Sequence, residues 1–126
     1  MSHTPYLIWY VENPAISAEF YARLLGKPAV ESSPTFALFV LDNGMKLGFW
    51  LRSGVIPEVQ SATSMQTCSG EFGLALQSKE LVDQQYRTLC EQGFHILLEP
   101  VMLDFGYTFV VCDPDGHRLR IFAPND

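Results

Sequence analysis

The sequence predicts an α+β fold built from two copies of one strand–helix–three-strand module. Three observations carry that expectation. A strand pattern followed by a capped amphipathic helix pattern occurs twice, once from Pro5 and again from Glu71. Each helix pattern leads into further strand patterns that close on a tight turn, Asp42-Asn43-Gly44 in the first half and Asp113-Pro114-Asp115-Gly116 in the second. A stretch without periodicity, residues 52–69, separates the two.

The elements follow in order. Tyr6-Leu7-Ile8-Trp9-Tyr10-Val11, within Pro5 to Val11, is an apolar and aromatic run of strand type, and Glu12-Asn13-Pro14 breaks it. Asn13 suits a helix cap and Pro14 the first helical position, where a missing N–H costs nothing. Ile16, Phe20 and Leu24 then recur at i, i+4 and i+8, with Tyr21 and Leu25 beside them. Gly26 ends this helix as a left-handed cap, and Pro28 follows. Ala29 to Ser32 is a short strand segment, and Thr35 to Leu41 pairs with Met45 to Leu51 across the glycine-containing turn. After the connector, Glu71 to Gln77 is a strand, and Ser78 caps a helix with Leu81, Val82, Tyr86 and Leu89 on one side and Gly93 past its end. Phe94 to Leu98 is a short strand closed by Glu99-Pro100; Tyr107 to Cys112 and His117 to Phe122 pair across the second turn. The economical account is one domain over 1–126, with modules at approximately 1–51 and 70–126 and the connector 52–69 between them. The connector is long enough to serve a function of its own.

Composition narrows the partners. At 126 residues, with 48% hydrophobic and 17% charged, the chain can bury a core without a disulfide or metal. A formal net charge of −6, with no cluster of Lys or Arg, disfavours nucleic acid and anionic membranes. Cys68, Cys90 and Cys112 stand singly and are odd in number, which speaks against a metal-binding pair or a complete disulfide framework and for a reducing compartment. The opening Met1-Ser2-His3-Thr4-Pro5 lacks a signal-peptide pattern, and no apolar run approaches the roughly 18 residues of a membrane span, so a cytoplasmic location is expected.

Three features coincide: Phe20-Tyr21 followed by Leu24-Leu25-Gly26, the duplicated module, and Asp113-Pro114-Asp115-Gly116-His117 before the last strand. Together they resemble the vicinal oxygen chelate superfamily of glyoxalases, bleomycin-resistance proteins and extradiol dioxygenases, over nearly the whole chain. The resemblance implies paired βαβββ modules whose sheets curl around a cavity. It also implies a homodimer, in which the connector would let halves exchange between chains. In metal-dependent members four ligands line the cavity. The positions implied here are Tyr6, Gly48 or Phe49, Gly73 and Arg120. A phenol, a bare backbone and a permanent cation do not make a ligand set. His3, His95 and His117 do not replace it, so no metal and no cofactor are expected.

Alternation along strands then suggests what the cavity holds. Tyr6, Ile8 and Tyr10 share one face of the first strand, Gly48 and Trp50 one face of the fourth, and Tyr107 and Phe109 one face of the penultimate strand, with Phe105 just before; Arg118, Arg120 and Phe122 share a face of the last. Aromatic walls favour flat aromatic guests, Arg120 can pair with a carboxylate or stack on a ring, and glycines at 48 and 73 let a ring approach the backbone. The candidate ligand-binding residues are therefore Tyr6, Ile8, Tyr10, Gly48, Trp50, Gly73, Phe105, Tyr107, Phe109 and Arg120. The competing reading is packed core, with Trp9 and Phe39 facing the helices, Arg120 in an ion pair with Glu19 or another acid, and Asp113 and Asp115 shaping their turn.

Within the superfamily, the segment Gly48-Phe49-Trp50-Leu51-Arg52-Ser53-Gly54 and the metal-free positions look most like the phenazine- and bleomycin-type resistance proteins. That resemblance implies sequestration of an aromatic antibiotic without catalysis. The alternatives are a glyoxalase-like or dioxygenase-like enzyme, against which stands the absence of any nucleophile or metal motif, and a protein-interaction module working through the connector.

Overall fold

Each half of the chain opens on a strand that a capped helix stops. The computed structural model describes residues 4–58 and 70–125, and the chain divides into two units, Met1–Thr63 and Ser64–Asp126. His3, Cys68 and most of the expected connector lie outside the described residues.

In the first unit, β1 (Tyr6–Val11) leads to α1 (Pro14–Leu25), then β2 (Glu31–Ser32), β3 (Phe36–Val40) and β4 (Lys46–Leu51). Asn13 caps α1: its Oδ1 accepts from the N–H of Ala15 at 3.0 Å and of Ile16 at 3.3 Å. Gly26, at φ +70°, donates its N–H to the Ala22 carbonyl at 2.9 Å and closes the helix in the left-handed region. The sheet runs β1-β4-β3-β2, with β1 parallel to β4 and the other pairs antiparallel. Parallel pairing is possible because α1 and the β2–β3 segment intervene between β1 and β4. Val11, Ala37, Phe39, Leu47 and Phe49 make the fully buried face of the sheet, and the ring of Tyr21 from α1 packs on Phe49 at 4.4 Å. Val11, Phe39, Leu47 and Phe49 each contribute about 1.5–3 kcal/mol by leaving water. Phe39 faces this core, as expected. Ile16 does not: the buried stripe of α1 is Ser17, Phe20, Tyr21 and Leu24, and Ile16, one step round the helix, stays 52% exposed.

In the second unit, β5 (Glu71–Ala75), α2 (Lys79–Glu91), β6 (His95–Leu103), β7 (Gly106–Cys112) and β8 (Arg118–Pro124) form a sheet of order β5-β8-β7-β6. Ser78 Oγ accepts from the Leu81 N–H at 3.2 Å and caps α2. Phe72, Phe109, Val111, Leu119 and Ile121 are buried on one face of the sheet, and Val82 and Leu89 are the buried side chains of α2. The expected stop at Glu99-Pro100 is overridden. The strand continues to Leu103 with register shifts on both sides of Leu98. β6 is an edge strand, where proline's missing donor costs the ladder little and bulges absorb the irregularity.

The Asp113-Pro114-Asp115-Gly116 turn is held by one side chain. Asp113, buried, accepts at Oδ1 from the N–H groups of Asp115 at 2.9 Å and His117 at 2.8 Å, and its Oδ2 lies 2.7 Å from His117 Nδ1. Asp113 shapes the turn and ties His117 to it. No helix among the described residues is long and apolar enough to cross a membrane.

Candidate ligand-binding faces

Strand register fixes which side chains turn away from each helix. In the first unit, Tyr6, Ile8 and Tyr10 of β1 stand beside Lys46, Gly48 and Trp50 of β4. These in turn stand beside Val40, Leu38 and Phe36 of β3. The neighbouring residues of each strand form the buried core, so this set looks outward. Tyr6, Ile8 and Tyr10 are 51%, 40% and 37% exposed, an unusual apolar surface to leave in water. Tyr10 meets Trp50 edge to face at 6.4 Å, and Lys46 Nζ lies 5.5 Å from the Tyr6 ring centroid. Gly48 is the floor. A Cβ there would come within 2.7 Å of Phe36 Cζ and 3.6 Å of Ile8 Cγ1, so the close-approaching ring is the protein's own Phe36.

In the second unit the corresponding face carries Glu71, Gly73 and Ala75 of β5, Arg118, Arg120 and Phe122 of β8, and Thr108 and Val110 of β7. Arg120 organises it. Its Nε and Nη2 donate to the two carboxylate oxygens of Glu71, the latter at 3.3 Å, and its Nη1 donates to Thr108 Oγ1 at 3.3 Å. Thr108 is itself fixed, donating to the Ile121 carbonyl at 3.1 Å. The guanidinium carbon lies 5.4 Å from the Phe105 ring centroid, and Phe105 meets Phe122 edge to face at 5.7 Å. Phe122 also lies over Gly73, 3.3 Å from where a Cβ would stand.

The register corrects two expectations. Tyr107 and Phe109 turn to α2 and do not share the Arg120 face. Phe109 is fully buried and meets Tyr86 edge to face at 5.3 Å, and the Tyr107 hydroxyl donates to Asp83 of α2 at 2.6 Å. That bond, followed by burial and the carboxylate's charge, pushes the Tyr107 phenol above its ordinary value. The residues of β7 on the Arg120 face are instead the less conspicuous Thr108 and Val110, both of them buried. The second correction concerns the first strand. Tyr6 lies opposite Lys46, whereas Ile8 lies opposite Gly48, as Gly73 lies opposite Arg120. Ile8 and Gly73 also stand at the same distance before their helix caps, Asn13 and Ser78. The first of the four ligand positions therefore falls on Ile8, and Phe49, the alternative for the second, is buried against Tyr21.

A divalent ion does not fit this set. Ile8 is hydrocarbon, Gly48 and Gly73 carry no side chain, and Arg120 is a cation already paired. His95 is exposed on β6, and His117 is held by Asp113. Among the described residues no three His, Cys, Asp or Glu side chains gather to hold a metal.

Glu71, Thr108 and Phe36 carry roles that sequence reasoning missed. Glu71 was within reach of it: period two along Glu71-Phe72-Gly73 places the carboxylate on the glycine's face, and Glu71, not Glu19, is the acid that pairs with Arg120. Phe36 and Thr108 needed the register, since nothing in either strand's composition distinguishes its two faces.

Comparisons with known proteins agree with this architecture. The Glyoxalase/Bleomycin resistance protein/Dioxygenase superfamily matches residues 4–121. The phenazine antibiotic resistance protein EhpR of Enterobacter agglomerans is 30% identical over 115 residues, which cover 89% of this chain and 84% of that one. A protein of Agrobacterium tumefaciens, solved in solution by NMR, is 43% identical with a TM-score of 0.85 and full coverage of both chains. A glyoxalase-related enzyme of Fulvimarina pelagi shares the fold at 22% identity, with a TM-score of 0.79 over 98% of this chain and 88% of that one.

Proposed function

The chain belongs to the Glyoxalase/Bleomycin resistance protein/Dioxygenase superfamily, and from that premise we propose that it holds a planar aromatic small molecule without a metal. The molecule is an antibiotic of phenazine or similar type, and resistance follows from withholding it from its target. The observation that carries this reading is the outward face of the first sheet. It leaves Tyr6, Ile8 and Tyr10 exposed beside Trp50 where a soluble sheet ordinarily shows polar groups. Rings at strand spacing offer flat guests offset stacking worth about 0.5–1.5 kcal/mol per pair beyond burial. The name of the 30%-identical relative points to the same ligand class. Glycines 48 and 73 support it too: their missing side chains let the ring edges of Phe36 and Phe122 come close to the backbone.

The test is fluorescence. In a Trp9→Phe variant Trp50 is the remaining reporter, and titration with phenazine should quench it stoichiometrically and identically with and without EDTA. Absence of quenching across a panel of planar heteroaromatics, or stoichiometric zinc, nickel or iron in the purified protein, would overturn the reading. The same proposal includes the homodimer implied by the family, for which sedimentation equilibrium should return about twice the chain mass.

A further inference from the structure

Building on the sequestration reading, we propose that Glu71 sets the ligand charge that the second sheet accepts. It occupies Arg120, so the guanidinium serves as a flat stacking surface for uncharged planar aromatics and not as the counter-ion of an aromatic carboxylate.

The pair is geometrically complete. Two guanidinium nitrogens are taken by the two oxygens of one carboxylate, a third by Thr108, and the cation sits 5.4 Å from the Phe105 ring centroid. Neither member is a loose surface charge, since the side chains of Arg120 and Glu71 are 18% and 34% exposed. Such a side-on, two-oxygen pair fixes the guanidinium plane, which is the form of arginine that stacks on rings. The Phe105–Phe122 edge-to-face pair continues that surface.

At Arg120 a carboxylated ligand finds the two-nitrogen grip of Nε and Nη2 already taken. To reach Nε and Nη2 of Arg120 it must displace Glu71, which exchanges one carboxylate for another and leaves Glu71 beside a second anion without its partner. The chain's net charge of −6 adds to that penalty. An uncharged ring asks for no exchange. Specificity thus comes from a repulsive element, the occupied cation, in addition to the attractive aromatic surface.

Calorimetric titration of the full chain with phenazine and with phenazine-1-carboxylate at neutral pH tests this, because the two probes share one ring system. Wild type should bind phenazine more tightly by about tenfold or more. Glu71→Gln, which keeps the shape and removes the charge, should raise the ratio of carboxylate to phenazine affinity to parity or better. The double variant Glu71→Gln/Arg120→Gln should lose that gain, which assigns it to the released guanidinium. The wild-type comparison stands even if a variant fails to fold. If phenazine binds but wild type prefers the carboxylate, or if the ratio is unchanged in Glu71→Gln, the charge selector is wrong and sequestration stands. If neither probe binds wild type or variant, both fall.

Discussion

Where the last strand of each unit faces its first, the first unit has Gly48 opposite Ile8 and the second has Arg120 opposite Gly73. Two residues further on, Trp50 corresponds to Phe122, and across the next strand Phe36 corresponds to Thr108. The plan is one and the chemistry is two. The first outward face is hydrocarbon and ring, with Lys46 against Tyr6 as its cation; the second is built round a guanidinium that a carboxylate, a hydroxyl and a ring hold in place. The cores differ as well. Where the first unit has Ala37 opposite Phe49 and fills the space with Tyr21 from its helix, the second has Phe109 opposite Ile121 and meets Tyr86. A duplicated module can therefore move the ring that meets its helix from the last strand, as Phe49, to the one beside it, as Phe109, without changing the fold, provided the facing volume changes with it.

The sharpest way to break this division between core rings and binding rings is to truncate one of each. Phe109→Ala empties a fully buried site and should cost about 3–5 kcal/mol in urea unfolding. Trp50→Ala, on the outward face, should cost well under half of that and instead weaken phenazine binding by roughly three- to tenfold. Equal losses of stability in the two variants would erase the distinction.

Glycine offers the next contrast. Gly106 has φ +154°, and a Cβ there would meet the Ala123 carbonyl oxygen at 2.2 Å and Pro124 Cα at 2.9 Å, both backbone atoms that cannot step aside. At Gly48 the obstacle is the far end of the Phe36 ring. Gly106→Ala should therefore destabilise by about 3 kcal/mol, and Gly48→Ala by about 1–2 kcal/mol with Phe36 swung out over the face. A smaller penalty at 106 than at 48 would show that the β7–β8 backbone gives way more easily than the Phe36 side chain.

Arg120→Lys comes third. It keeps the charge and loses both the two-oxygen grip on Glu71 and the plane beside Phe105, so about 1 kcal/mol of stability should go, with phenazine affinity down severalfold. Trp50→Ala and Arg120→Lys together should show additive binding losses if the two faces act independently.

Much of this is legible in the sequence. Caps, turn glycines and apolar periods are local signals, and Asn13, Gly26, Ser78 and the Asp113 turn act as their sequence neighbourhoods indicate. What failed was parity. A strand's period of two says that Tyr107 and Phe109 share a face, but not which face, and only pairing with β8 puts Thr108 beside Phe122 and sends both aromatics under α2. A different slip, of two residues along the same face, put the first ligand position on Tyr6 instead of Ile8. Counting back from the helix cap in both modules together, instead of from Phe20-Tyr21 in one, resolves it.

Tyr107 makes the smallest predicted effect and the cleanest check of that parity. Its hydroxyl donates to Asp83, and the phenol is raised above its ordinary value of 10.0 by that bond first and by burial second. A raised folded-state value means the contribution is complete below pH 10 and fades as pH climbs through the folded value. Tyr107→Phe should then cost roughly 0.5–1.5 kcal/mol at neutral pH, with the gap to wild type narrowing above pH 10. Phenazine affinity should not change, because the ring lies on the helix side of β7. A loss of ligand affinity in Tyr107→Phe, with stability intact, would return this tyrosine to the binding face and reverse the register of the strand.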